Sequence, residues 1–493
     1  MKPTISMQHF HWTFLVLLIC LHPVHHLEAQ EPDRTRPPQL GSPPTMQVPP
    51  IEHLELSNGL KVLLVEKHEV PLVQVNLLVM AGSVMEPAGR VGLASMTADM
   101  LDEGAGPRSA LELADAIDFL GADISIDAGR HTAVVSLNTP LSKLDDALHL
   151  MADIALRPTF PAEELDRLRK QRLTTLTQWH DEPRDVANVL FDQILYGQDH
   201  PYGRPTLGNE NSLKAMRVRD LKKFHKSCYR PNNATLIVAG DVTAESILPR
   251  LEKAFGKWKK RKVRTLSWPA VEQVTERKIY LVDRPGAPQS EIRLGRIGVS
   301  RPTDDYFAIV VMNTILGGSF TSRIMQNLRE EHGYTYGARS SFAFRPLPGP
   351  FLASSAVQTE VTDKALVEFM KELKGILTPV PDEELTKARN FLALRFPERF
   401  QTVSAIARQL ADLTIYGLPD DYFNTYTERI LSISVKEVAR VAEKYIDPAR
   451  IAIIVVGDRE QVEEGLRALD YGPVELLTVK DVLGEIPQLP AGD

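Results

Sequence analysis

Apolar residues along this chain fall into two kinds of segment. Short, nearly unbroken runs rich in β-branched residues predict buried strands: Lys61 to Glu66 (KVLLVE), Leu72 to Gly82 (LVQVNLLVMAG), Ala234 to Asp241 (ATLIVAGD) and Ile451 to Asp458 (IAIIVVGD). Elsewhere apolar positions recur every three or four residues and predict helices. Pro161 (PAEELDRLRK) and Pro381 (PDEELTKARN) each open a long helix with acidic residues in its first turn. The stretch VGLASMTADMLDEGAG, Val91 to Gly106, is a shorter case. Leu93, Met96, Thr97, Met100 and Leu101 form a stripe to bury, and Ser95, Ala98, Asp99 and Asp102 line the other side.

The order of these segments occurs twice. YRPNNATLIVAGDV (Tyr229 to Val242) is echoed by IDPARIAIIVVGDR (Ile446 to Arg459), with Pro231 matching Pro448 and Gly240 matching Gly457. Upstream, PAEEL answers PDEEL, and GLKVLLVE with LVQVNLLVMAG answers RKIYLVD with SEIRLGRIGVS. A repeat of this length predicts a duplicated α+β fold, two homologous domains at 51–262 and 272–480. Each is a mixed, largely antiparallel sheet packed with helices, joined by a linker at 263–271 and followed by a tail at 481–493.

The N-terminus adds a destination. Lys2, an apolar WTFLVLLICL (Trp12 to Leu21) and LEA before Gln30 have the layout of a secretory signal peptide, residues 1–29, cleaved after Ala29. Its apolar core is too short for a stable membrane span. The expectation is an exported protein of the periplasm or cell envelope with no span once the leader is removed. Residues 30–50 follow as an unstructured spacer, since 31–50 holds seven prolines and no apolar period. With the leader gone Cys228 is the one cysteine, so the core alone holds the fold. A formal charge of −7 and a single short basic run, Lys257 to Arg264, exclude a nucleic-acid footprint.

Candidate chemistry is sparse. The histidines after the leader include no pair at i, i+3 or i, i+4, and Asp99, Asp102, Glu103, Asp181 and Glu182 read as solvated acids before they read as a hard-cation site. In GGSFTSRIMQNLREEHGYTYGARSSF, Thr321 or Ser322 is placed to cap a helix running to His332. Gly333 would end that helix, and a strand would begin at Tyr334.

Taken together these motifs resemble the pitrilysin, insulinase and mitochondrial-processing-peptidase family of zinc metallopeptidases, over essentially all of residues 51–480. In that family the segment after the second strand reads G-L-A-H-x-x-E-H-M, two ligand histidines around a general base. Here GLASMTADM keeps Gly92, Leu93, Ala94 and Met100. Ser95 and Asp99 stand at the histidine positions, Ala98 at the base, and Thr175 at the distal glutamate ligand. The resemblance thus implies a member without the zinc motif: no metal or cofactor in this chain, and zinc in a homologous partner subunit. Arg329 and Tyr336 match a family pair that contacts the peptide and stabilises its tetrahedral intermediate. Three functions follow as expectations. The first is a non-catalytic subunit of a heterodimeric zinc peptidase acting on peptides, inactive alone. The second is a peptide-binding or assembly protein that uses the same chamber without hydrolysis, and the third a self-sufficient enzyme with an unfamiliar site.

Overall fold

The computed structural model describes residues 48–264, 267, 268 and 270–488. The leader and nearly all of the spacer expected at the N-terminus lie outside the described residues. In the first half, six strands form one sheet: β1 (Glu52–Glu55), β2 (Lys61–Glu66), β3 (Leu72–Val79), β4 (Asp123–Ala128), β5 (Ala133–Pro140) and β6 (Ala234–Gly240), in the order β1-β2-β6-β3-β5-β4. The second half builds another from β7 (Lys278–Asp283), β8 (Gln289–Ile297), β9 (Ala338–Phe342), β10 (Pro350–Gln358), β11 (Ala452–Gly457) and β12 (Val474–Thr478). Its order is β9-β10-β8-β11-β7-β12. Read from the opposite edge, the five strands from β7 to β11 occupy the positions of β2 to β6. The β2–β6 and β7–β11 pairs are both parallel, and the pairs to β3 and β8 antiparallel. The sixth strands differ: β1 pairs antiparallel with β2, whereas β12 comes from the end of the chain and pairs parallel with β7.

The central strands are apolar on both faces, and this decides how the halves assemble. On β3, Val73, Val75, Leu77 and Val79 face the helices of their own half. Leu78 and the β2 residues Leu63 and Val65 instead join the core of the second half. Two helices make this reciprocal. The first half contributes α1 (Leu93–Asp99), α2 (Ala162–Trp179) and α3 (Pro183–Tyr196); the second contributes α4 (Asp382–Arg395) and α5 (Val403–Tyr416). Helix α3 crosses to lie on β8 and β11, burying Val186, Leu190 and Phe191 against Ile297, Ile454 and Val456. Helix α5 crosses the other way onto β3 and β6. Each half thus covers one face of its own sheet and one face of the other's.

Packing at the crossing is tight: a Cβ placed on Gly295 of β8 would come within 2.4 Å of the Phe191 ring. Under the start of α3, Glu291 pairs with Arg293 at 2.7 Å, and Arg293 donates to Asn188 at 3.2 Å. The matching place under α5 is neutral, with Gln74, Asn76, Asn138 and Ser404 hydrogen-bonded together. The loop HPYGRPTLG (His200 to Gly208) adds a second tie. Tyr202 is fully buried, its ring lies 4.7 Å from the Arg345 guanidinium, and Leu347 N donates to its hydroxyl at 3.4 Å. The segment expected as a tail from 481 also packs: a helix over Val479–Leu483 buries Val482, and Gln193 donates to its carbonyl. No helix among the described residues is long and apolar enough to cross a membrane.

Because α3 belongs to the first half yet fills the core of the second, Phe191→Ala is expected to cost about 3–5 kcal/mol and to weaken both halves together. In chemical denaturation, tryptophan fluorescence, which reports Trp179 and Trp258 of the first half and Trp268 beside its His200, and far-UV circular dichroism should shift as one transition. Two separated transitions, with only one moved, would contradict the interlock.

Candidate functional site

Helix α1 starts abruptly. Gly92 has φ +82, and a side chain there would strike Leu207 O and Gly208 at 2.7 Å, so only glycine allows the helix to begin against this loop. No side chain of the helix caps it. The buried Glu86 does so from outside, accepting from Ala94 N at 2.9 Å and Gly92 N at 3.2 Å. Burial pushes its carboxyl up to about 7, against the opposing pull of those two N–H groups. The predicted stripe is inside, with Leu93, Met96, Thr97, Met100 and Leu101 all buried.

The opposite side of α1 is largely covered, with Asp99 left exposed. Ala98 is fully buried. Ser95 donates to Thr206 O at 2.6 Å, closing the helix against the loop. The face is sealed by Arg172 of α2, which the sequence reading passed over. Its Nη1 donates to Ser95 Oγ at 3.0 Å, Leu207 O at 3.1 Å and Gly92 O at 3.3 Å, and its Nη2 to Asp99 Oδ2 at 2.5 Å. Arg172 is 5% exposed. Thr175 lies one turn further along α2 and returns its hydroxyl to Gln171 O at 3.2 Å, as Thr174 does to Lys170 O.

These residues do not fit a zinc ion. Ser95, Asp99 and Thr175 offer one carboxylate, and a guanidinium already bridges the first two. The acidic residues weighed as a hard-cation site are dispersed into separate ion pairs, Asp99 with Arg172, Glu103 with Arg167 and Asp181 with Arg284. Asp102 is pushed up to about 6, chiefly by burial. Among the described residues no three His, Cys, Asp or Glu side chains are grouped to hold a metal ion. Cys228 is free and buried.

The second group is open. Ser322 starts a helix without a side-chain cap, Arg323–Met325, which widens into a π-turn over Gln326–Glu331. Asn327 ties this turn to a neighbouring helix, donating to Glu368 at 2.8 Å and Glu372 at 2.7 Å. The turn aims Arg329 between two rings, its guanidinium carbon 4.8 Å from the Phe320 centroid and 5.0 Å from that of Tyr336. Tyr336 is 87% exposed and Phe320 59%. The strand expected at Tyr334 begins instead at Ala338. Thr335 folds the intervening residues by accepting from Gly337 N at 3.0 Å and donating to Ala356 O at 2.6 Å. Arg329 and Tyr336 are thus brought together as a stacked pair, and Phe320, the third member, was missed. Its only signal is a bulky apolar residue after Gly317 and Gly318 that belongs to no apolar period.

Two family models match the chain in succession: insulinase (peptidase family M16) over residues 61–210 and the peptidase M16 inactive domain over 215–392. Together they span about two thirds of it. The chain belongs to the M16 peptidase family. The first match contains Ser95, Ala98, Asp99 and Thr175, and the second Arg329 and Tyr336. Among M16 relatives, an uncharacterized zinc protease of Mycobacterium tuberculosis is 26% identical over 430 residues, 84% of this chain and 95% of the relative. A non-peptidase homolog of Helicobacter pylori is 22% identical over 84% of this chain and 96% of its own length. The crystal structure of a peptidase M16 inactive domain from Pseudomonas fluorescens superposes with a TM-score of 0.78 at 27% identity, covering 83% of this chain and 98% of that one.

The Glu86 cap makes a signed prediction. In the unfolded chain its carboxyl loses a proton near the ordinary 4.5, whereas the folded chain holds it up to about 7. Across that window only the folded state keeps the proton, so this group's contribution to stability falls as pH rises, by about 3 kcal/mol in all. From pH 5 to pH 7 the unfolding free energy of the wild type should therefore fall further, or rise less, than that of Glu86→Gln. Equal differences would show that burial does not hold the proton.

Proposed function

We propose that this chain is the zinc-free subunit of a two-chain M16 peptidase in the periplasm or cell envelope, lending Arg329 and Tyr336 to the zinc site of a homologous partner. The observation that carries the reading is the contrast between its two groups. The one at the family's metal positions is closed by Arg172, while the Arg329–Tyr336 stack is open to solvent, with Tyr336 87% exposed. A guanidinium held between rings keeps its charge and its N–H donors aimed outward. Presented to a partner's peptide, Arg329 holds a backbone carbonyl, and Tyr336 donates to the same oxygen as it gains negative charge. The metal and the base are the partner's. Export rests on the leader-like first 29 residues.

A second reading draws on the sheet edge. Among the described residues strand β4 bonds only to β5, and it alternates exposed and half-buried residues beside α1. An unpaired rim of this kind accepts an extended peptide as an added strand, which would serve a binding protein as well as a subunit. The name of the H. pylori relative, a non-peptidase homolog, agrees with either reading.

Purification from the native source separates them: the proposal expects a stoichiometric homologous partner that carries the zinc, with neither zinc nor peptidase activity in this chain alone. In the complex, Tyr336→Phe should leave assembly intact and lower kcat by about 10²–10³. Arg329→Ala should also raise KM. If kcat and KM stay unchanged in both variants, the split site is rejected and the peptide-binding reading stands.

A further inference from the structure

We infer that Arg172 is a resident cation in the place of a metal ion between α1 and α2, and that it bars zinc from this chain independently of the missing ligands. The inference needs neither the partner nor the substrate of the proposed function.

Consider first what the guanidinium joins. Ser95 and Asp99 lie four residues apart on α1, and so on one face of it. Arg172 reaches both from α2, and it also gathers the carbonyls of Gly92, at the start of α1, and Leu207, in the adjoining loop. One cation thus clamps a helix start, a helix face and a loop through four oxygens, much as a metal ion would. A buried charge is stable only when paired and hydrogen-bonded, and Asp99 with the three neutral oxygens meets that demand.

The internal repeat shows that the cation is particular to this place. PAEELDRLRKQRL and PDEELTKARNFLA align without gaps, so Arg169 matches Arg389 and Arg172 matches Leu392. The first pair does the same work in both halves: Arg169 donates to Leu213 O and Met216 O, and Arg389 to Leu431 O and Ile433 O. At the second pair the halves part. Leu392 packs against the apolar core, whereas Arg172 carries its charge into the gap beside Ser95 and Asp99. The general frame of α2 therefore does not require an arginine at 172.

A zinc ion bound by side chains at 95, 99 and 175 would sit about 2.0–2.3 Å from their donor atoms. The Arg172 nitrogens already contact two of those side chains. Like charges would then crowd one space beside Ser95 and Asp99. A carboxylate restored at 175, three residues from Arg172 on the same helix, would also be drawn to the guanidinium.

The test restores the ligands with and without the cation. The full chain carrying Ser95→His, Ala98→Glu, Asp99→His and Thr175→Glu is expected to retain well under one equivalent of zinc after dialysis, measured by elemental analysis. Adding Arg172→Leu, the residue of the other half, should raise this to about one equivalent, and added zinc should then raise the melting temperature. Stoichiometric zinc with Arg172 in place would overturn the inference. So would a five-substitution variant that melts cooperatively yet takes none. Should the multiple variants not fold, Arg172→Leu in the otherwise native chain decides. The clamp predicts a melting temperature lower by several degrees, with Arg172→Lys falling between because a point charge cannot serve the same fork of oxygens. A melt of Arg172→Leu indistinguishable from the wild type would remove the clamp and the inference with it.

Discussion

A sheet whose central strands are apolar on both faces must be covered twice, and in this molecule the second cover always comes from the other half of the chain. Helix α3 leaves the first half to bury Phe191 and Leu190 on β8 and β11, and α5 returns the exchange on β3 and β6. Neither sheet could stand in water alone without exposing a row of Val, Ile and Leu. The relative placement of the halves is therefore part of the core itself. The remaining features inherit their positions from it: the buried Tyr202 loop, the Glu291–Arg293 pair beneath α3, and the two functional groups on α1 and on the π-turn.

Within that frame the two groups are governed by opposite electrostatic conditions. Arg172 is buried, so every donor it aims must meet an oxygen, and it acts as a clamp. Arg329 is partly exposed, held between ring faces and paired through Nε with Glu330 at 3.4 Å, which leaves its terminal Nη groups available. The same residue type closes one site and opens the other because the surrounding dielectric and partners differ. Glu86 belongs to the closed group. It satisfies the first amides of α1 from a site that penalises its own charge, which couples the geometry of that helix to protonation.

Much of this was legible in the residues alone. Strand identity followed from unbroken apolar runs, the duplication from paired motifs such as PAEEL with PDEEL, and the lack of a metal set from the residue types at 95, 98, 99 and 175. These depend on local period and on chemistry that each residue carries wherever it lies. The pairing of Arg329 with Tyr336 was reached through family resemblance, while the strand start expected at Tyr334 gave way to Ala338 because Thr335 engages Ala356, a residue of the neighbouring strand.

The tertiary structure alone decided what fills the space between elements. An apolar helix face states that it will be buried and is silent on which sheet will bury it, so the exchange of α3 and α5 had no signature in the period of either helix. Arg172 sat within a charged run, RLRKQR, where an arginine reads as solvated, and only its approach to an element 73 residues away gave it Asp99 as a partner. The sequence determined which side chains this protein has for holding a metal. Packing at long range determined that a guanidinium, rather than water, stands beside Ser95 and Asp99, because that depends on distances between segments that the order of residues does not encode locally.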